Sequence, residues 1–241
     1  MHELLHPLTI ADYEFLVGIV EGSKGRLGTL VDAVRREDHA DSRAALCTAL
    51  EREIRYQGSA DIAYFTRKAL GNEPGVPFAE IVRDVAKATD IRLSPLATDR
   101  ELVAELAETF ATRRFADLSP DEQQQMLVDL GVEKKRAAAF LKRSAGVFAV
   151  PVLVDAFGMA VVQGLIKTVL FGAIAKIVGR QIAGRLFRFL FSRLPWWVGW
   201  ISPAAWTVSI GWTAIDIQGP ARRKTIPVVL YLGLCALRER E

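Results

Sequence analysis

The chain has 241 residues, of which 51% are hydrophobic and 24% charged, with a formal net charge of +3 and a mean hydropathy of +0.19. A chain of this length can hold one large domain or two modest ones, so core size is no obstacle. Two widely separated cysteines, Cys47 and Cys235, exclude a disulfide framework and point to a reducing compartment.

Read from its start, the sequence shows no basic leader ahead of an apolar stretch, because Asp12 and Glu14 interrupt the first such segment. A signal peptide is therefore not expected, and a cytoplasmic origin is. Thr9 followed by Asp12 predicts a helix start ahead of Phe15, Leu16, Ile19 and Val20. Glycines between 21 and 28 break it. Further helices are predicted over 29–36, from Asp41 or Ser42 to about Tyr56, and over 60–69, before a loop at 71–77 with two glycines and two prolines. After Pro77, the residues Phe78, Ile81, Val82 and Val85 share one helix face. Thr98 with Glu101 opens the next helix, which carries Leu102, Leu106 and Phe110. Ser119 with Pro120 and Glu122 opens another, which Gly131 ends. No run of alternating β-branched residues supports a sheet, so the fold class read here is all-α: a multi-helix soluble bundle followed by an apolar helical hairpin region.

Charge divides the chain. Residues 1–144 carry 20 Lys and Arg against 24 Asp and Glu, and residues 145–241 carry 11 against 4. Two parts follow from this: a soluble helical module over 1–144, and an apolar, basic, Trp-rich region over 145–241. Basic and apolar residues together suit anionic membrane lipid. Nucleic acid asks for a basic surface that stays wet, and is not an expected partner.

Within the second part, Ala160, Gly164, Thr168 and Gly172 recur every four residues, and Ala175, Gly179 and Ala183 repeat the spacing. Such a series lets another helix approach closely, in a membrane or equally in a soluble bundle. Over 180–193, Arg185 and Arg188 share a face beside Arg180 and Arg193, while Leu186, Phe189 and Leu190 form an apolar stripe. This reads as a short basic amphipathic helix suited to a headgroup layer, or as a surface helix whose arginine stems cover a core. Residues 194–215 are uncharged and hold all five tryptophans, Trp196, Trp197, Trp200, Trp206 and Trp212. Indole favours the membrane–water interface. Ser202 and Pro203 split the run into pieces of roughly 12 and 21 Å, which fits a re-entrant or interfacial hairpin better than a span. The basic triplet Arg222, Arg223 and Lys224 opens the last apolar segment and suits anionic headgroups or a solvated loop.

Chemistry is hard to find. His2 and His6 stand four apart without companion ligands, so neither a metal nor a cofactor is expected. Gly22, Ser23, Lys24 and Gly25 match no phosphate-binding loop, and no nucleophile elbow is present. Asp155 and Asp216 are acids among apolar residues, expected to pair with Lys167 or Arg180, or to cap a helix. No enzyme is expected.

Gly58 with Ile62 and Ala63, then Gly75, Val76, Pro77 and Phe78 running on to Val85, resemble the YaaW-like family of uncharacterised bacterial proteins. So do Gly219, Pro220, Ala221, Arg222, Arg223, Lys224, Thr225, Ile226 and Pro227. Some members carry the label ubiquinol–cytochrome c chaperone-like, and the five tryptophans depart from the family's pattern. The resemblance covers roughly 10–240 and implies an architecture with no established activity. Together these observations lead to an expected membrane-associated helical protein, peripheral to or inserted in the inner membrane. It is expected to be self-associating and membrane-perturbing or pore-forming as a homo-oligomer. The alternative is a non-catalytic binding module or assembly chaperone for a membrane protein complex.

Overall fold

In the computed structural model the described residues are 1–20, 25–58, 75–144, 146–193 and 220–238, with backbone alone described at 179–193 and 220–222. Among them are eleven helices and no strand: α1 (His2–Leu5), α2 (Ile10–Val20), α3 (Arg26–Arg36), α4 (Ala40–Gln57), α5 (Phe78–Ala88), α6 (Asp99–Ala116), α7 (Pro120–Asp129), α8 (Lys134–Ser144), α9 (Val150–Phe157), α10 (Met159–Arg193) and α11 (Pro220–Arg238). The fold is all-α.

Local chemistry sets several of these ends. At α6, the Thr98 amide donates to Glu101 Oε2 at 2.8 Å while the Glu101 amide donates to Thr98 Oγ1 at 3.4 Å. Ser119 and Glu122 repeat the reciprocal pair at α7, with Pro120 in the first turn where a missing N–H costs nothing. Gly131, at φ +89°, then ends α7 in the left-handed region. Its amide donates to the Val128 carbonyl at 2.9 Å, and the Val132 amide donates to Leu127 at 3.0 Å, so two otherwise orphaned carbonyls are satisfied. Asp90 makes the same turn after α5 at φ 54°, as a residue with a side chain. The helix expected over 60–69 lies outside the described residues.

The organising element is α11. Every residue from 225 to 236 is buried, which marks a helix apolar all round and enclosed by others. It packs against α6 and α10 most extensively, and against α1, α2, α4 and α5 around them. The core is continuous from Leu4 and Leu5 through Phe110 and Phe115 to Val169, Phe171 and Tyr231. Helices from both sides of 144/145 share the same core, since α11 needs the N-terminal helices to cover its apolar circumference.

Candidate membrane-engaging region

Gly158, at φ +86°, turns the chain out of α9 in a conformation that disfavours any side chain. From there α10 runs for 35 residues, about 52 Å at ~1.5 Å per residue. Its stretch Met159–Val178, with mean hydropathy 1.8, is long and apolar enough to cross a membrane by length and composition. In the folded chain 61% of that window is buried. Val162, Leu165, Val169, Leu170, Ala173 and Ile174 are buried where α10 meets α2, α6 and α11. The core helix of a water-soluble protein passes the same test.

The small-residue series divides along this helix. Ala160 is exposed, Gly164 and Thr168 are buried, and Gly172 and Ala175 are half-buried; Gly179 and Ala183 fall where backbone alone is described. A four-residue step overshoots one turn by about 40°, so the series winds from the surface into the core and forms no straight stripe. The Thr168 hydroxyl is buried with no hydrogen-bond partner. A close helix crossing lies elsewhere, at Gly233 of α11. A Cβ there would stand 2.5 Å from the Val103 carbonyl oxygen and 2.7 Å from Ala107 Cβ. Ala104, Ala107 and Ala111 of α6 are buried alongside. A lone glycine in an apolar run carries no periodic signal, so sequence reading passed it over.

Arg180, Arg185, Arg188 and Arg193 all lie on α10, whose helical backbone continues to Arg193. The basic segment is therefore the last turns of a long helix and not a short separate one. No proline stands between Met159 and Arg193 to break it. The side chains of these arginines, and Trp196, Trp197, Trp200, Trp206 and Trp212 entirely, lie outside the described residues. The triplet Arg222, Arg223 and Lys224 opens α11. Arg223 is exposed, while Lys224 Nζ donates to the Val20 carbonyl at 2.8 Å, satisfying the C-terminal end of α2.

The buried acid of the described chain is Asp12. Asp155, expected among apolar groups, is exposed on α9, an eight-residue helix in which Leu153 alone is fully buried. Asp216 lies outside the described residues. The sequence placed Asp12 correctly in a capping pair: the Thr9 amide and hydroxyl donate to its Oδ2 at 2.8 and 2.7 Å, and its own amide donates to Thr9 Oγ1 at 3.2 Å. The fold adds a second role. Arg238, at the far end of α11, donates through Nη2 to Oδ2 at 2.9 Å and through Nη1 to Oδ1 at 3.2 Å. Tyr231 Oη donates to Oδ1 at 2.7 Å, and Tyr231 stacks on Phe15 at 4.0 Å between centroids. Burial pushes the Asp12 carboxyl up, but the Arg238 guanidinium, with the Thr9 and Tyr231 hydrogen bonds, holds it below its ordinary value of 3.8. Burial is the main cause that drives the Tyr231 phenol well above its ordinary value, so it stays a donor. This cluster clamps α11 to α2. No periodic signal links residues 226 positions apart.

A neighbouring contact fastens α4. Tyr13 Oη donates to the Leu5 carbonyl at 2.8 Å and lies 3.2 Å from Cys47 Sγ. Arg43 stands over the Tyr13 ring, donates to the Leu8 carbonyl at 2.8 Å, and pairs with exposed Asp38. Both cysteines are buried free thiols.

Among known proteins, the chain is 24% identical over 239 residues to a UPF0174 protein of Helicobacter pylori strain J99, an alignment covering 95% of this chain and 86% of that protein. No family model matches the chain. No solved structure matches it.

Proposed function

We propose that this chain is a non-catalytic, membrane-associated helical protein that docks on anionic lipid through residues 180–215. The observation that carries the reading is the sequence continuous with α10. Four arginines follow its core-packed half, and an uncharged run with all five tryptophans follows them. The core holds α10 through Met159–Val178, and the sequence after it supplies guanidinium groups for phosphate oxygens and indoles for the interface. Peripheral docking fits better than insertion, because 61% of the apolar window is already buried in protein. Self-association or pore formation through Gly164 and Thr168 requires α10 to leave that core first.

Flotation with vesicles tests this. Each basic side chain near an anionic surface contributes about 1 kcal/mol, so replacing Arg185, Arg188 and Arg193 with Gln lowers binding by about a hundredfold or more. The intact chain is expected to float with phosphatidylglycerol vesicles at low ionic strength, and the variant to stay behind. Equal flotation of the two, or none by either, overturns the reading.

A further inference from the structure

We propose that α8 and α9, a basic helix and an exposed apolar one clasped together, form a face that docks on an anionic phospholipid bilayer. This face needs none of residues 180–215 and stands apart from the docking proposed for them. The charge pattern marks the place. Residues 1–132 carry 15 Lys and Arg against 23 Asp and Glu, whereas residues 133–160 carry five against two. Lys134, Lys135, Arg136, Lys142 and Arg143 all lie on α8, and all are exposed. Lys135 and Lys142 stand two turns apart, across the helix from buried Ala137 and Phe140, so both project away from the core. Among the described residues, Lys134, Lys135, Lys142 and Arg143 form no ion pair.

What adjoins these cations is apolar and uncovered. The Arg136 guanidinium donates to the Ala156 carbonyl and stands 5.9 Å from the centre of the Phe157 ring, while Phe140 meets Phe157 edge to face at 4.7 Å. Arg136 thus ties the start of α8 to the end of α9, and the short link between the helices joins their other ends, so they pair as an antiparallel hairpin. Val147 and Val152 are 61% and 43% exposed, Ala149 and Pro151 are exposed as well, and Leu153 alone of α9 is fully buried. The aromatic rings are used inside: Phe140 and Phe148 are buried, and Phe148 lies edge on to Phe115 at 4.9 Å. Protein interfaces are enriched in exposed rings of that kind. This hairpin offers aliphatic groups beside unpaired cations instead. A bilayer takes aliphatic side chains at its acyl boundary and holds ammonium and guanidinium groups at the level of its phosphates, with the lysine stems spanning between. Asp155, exposed on α9, opposes docking, and the hairpin's excess of cations outweighs it.

The test labels the full chain at Val152→Cys with the environment-sensitive dye NBD; both native thiols are buried and stay unlabelled. Leu96→Cys, at a residue 97% exposed between α5 and α6, is the reference position. With phosphatidylglycerol vesicles at low ionic strength, emission from position 152 is expected to shift to the blue, and brominated acyl chains to quench it. Position 96 is expected to stay unchanged, as is position 152 with phosphatidylcholine vesicles. Three cations near an anionic surface are together worth about a hundredfold in binding, so changing Lys135, Lys142 and Arg143 to Gln is expected to abolish the shift at position 152. All three side chains are exposed, and unchanged circular dichroism confirms the fold. No shift at position 152 in the otherwise intact chain, or an undiminished one in the triple variant, overturns the proposal. A blue shift that grows with protein concentration in the absence of vesicles does so too, because it identifies a second copy as the occupant. Tryptophan emission from the same samples reports residues 196–212, so failure of the hairpin and failure of the 180–215 docking are read separately.

Discussion

Replacing Arg238 with Ala strands a buried charge. Asp12 is 0% exposed, and Arg238 contacts both of its oxygens, at 2.9 and 3.2 Å. Unit charges about 3 Å apart attract by about 5 kcal/mol at an effective dielectric of about 20. Removing one partner of a buried pair costs about 3–5 kcal/mol, because the other keeps its desolvation penalty. Arg238→Ala is therefore expected to lose about 3 kcal/mol or more in urea unfolding followed by circular dichroism. Asp12→Asn with Arg238→Gln together should lose less than the sum of the two single changes. The pH dependence sharpens the test. The folded carboxyl titrates below 3.8, so the pair's contribution is complete above that pH and fades as pH falls through the lower folded value. In Arg238→Ala, burial loses its main opponent and the carboxyl rises, so the deficit against the intact chain is largest near neutrality and shrinks on acidification. A loss below about 1 kcal/mol, typical of an exposed pair, or a deficit independent of pH, refutes the clamp.

Other substitutions probe the remaining supports. Gly233→Val is expected to cost about 2 kcal/mol or more by thermal unfolding, since overpacking costs about 1–3 kcal/mol and the nearest atom is a backbone oxygen that cannot swing aside. An increase in stability, as helix propensity alone favours on leaving glycine, contradicts the close crossing. Ser119→Ala should cost about 1 kcal/mol and speed amide exchange in the first turn of α7. Asp90→Gly should stabilise by about 0.5–1 kcal/mol, because glycine adopts φ 54° without the left-handed penalty of about 1–2 kcal/mol, whereas the exposed Arg113–Asp90 carboxylate pair at 3.6 Å that is lost contributes little. Unchanged melting in either variant counts against the local geometry that motivates it.

Helix starts were the most legible part of the fold. Thr9 with Asp12, Thr98 with Glu101, and Ser119 with Pro120 and Glu122 each form the bonds their spacing implies, because a cap needs nothing beyond its own neighbours. Gly131 ends α7 for the same reason. Harder to read was which apolar helix lies inside. Residues 225–237 look as suited to lipid as to a core, and only the surrounding helices make α11 the centre of the bundle. The buried acid shows a similar limit: apolar neighbours in sequence drew attention to Asp155, which is exposed, while Asp12 is buried by a partner at position 238. The small-residue series was visible as a pattern, yet its slow winding around α10 spreads it between surface and core.

The five tryptophans supply the sharpest test of membrane docking, because every indole in the chain lies between positions 196 and 212 and emission reports that segment alone. With phosphatidylglycerol vesicles containing brominated acyl chains at low ionic strength, tryptophan emission is expected to be quenched, and added salt to restore it. Emission that stays the same in intensity and wavelength whether or not those vesicles are present contradicts the account.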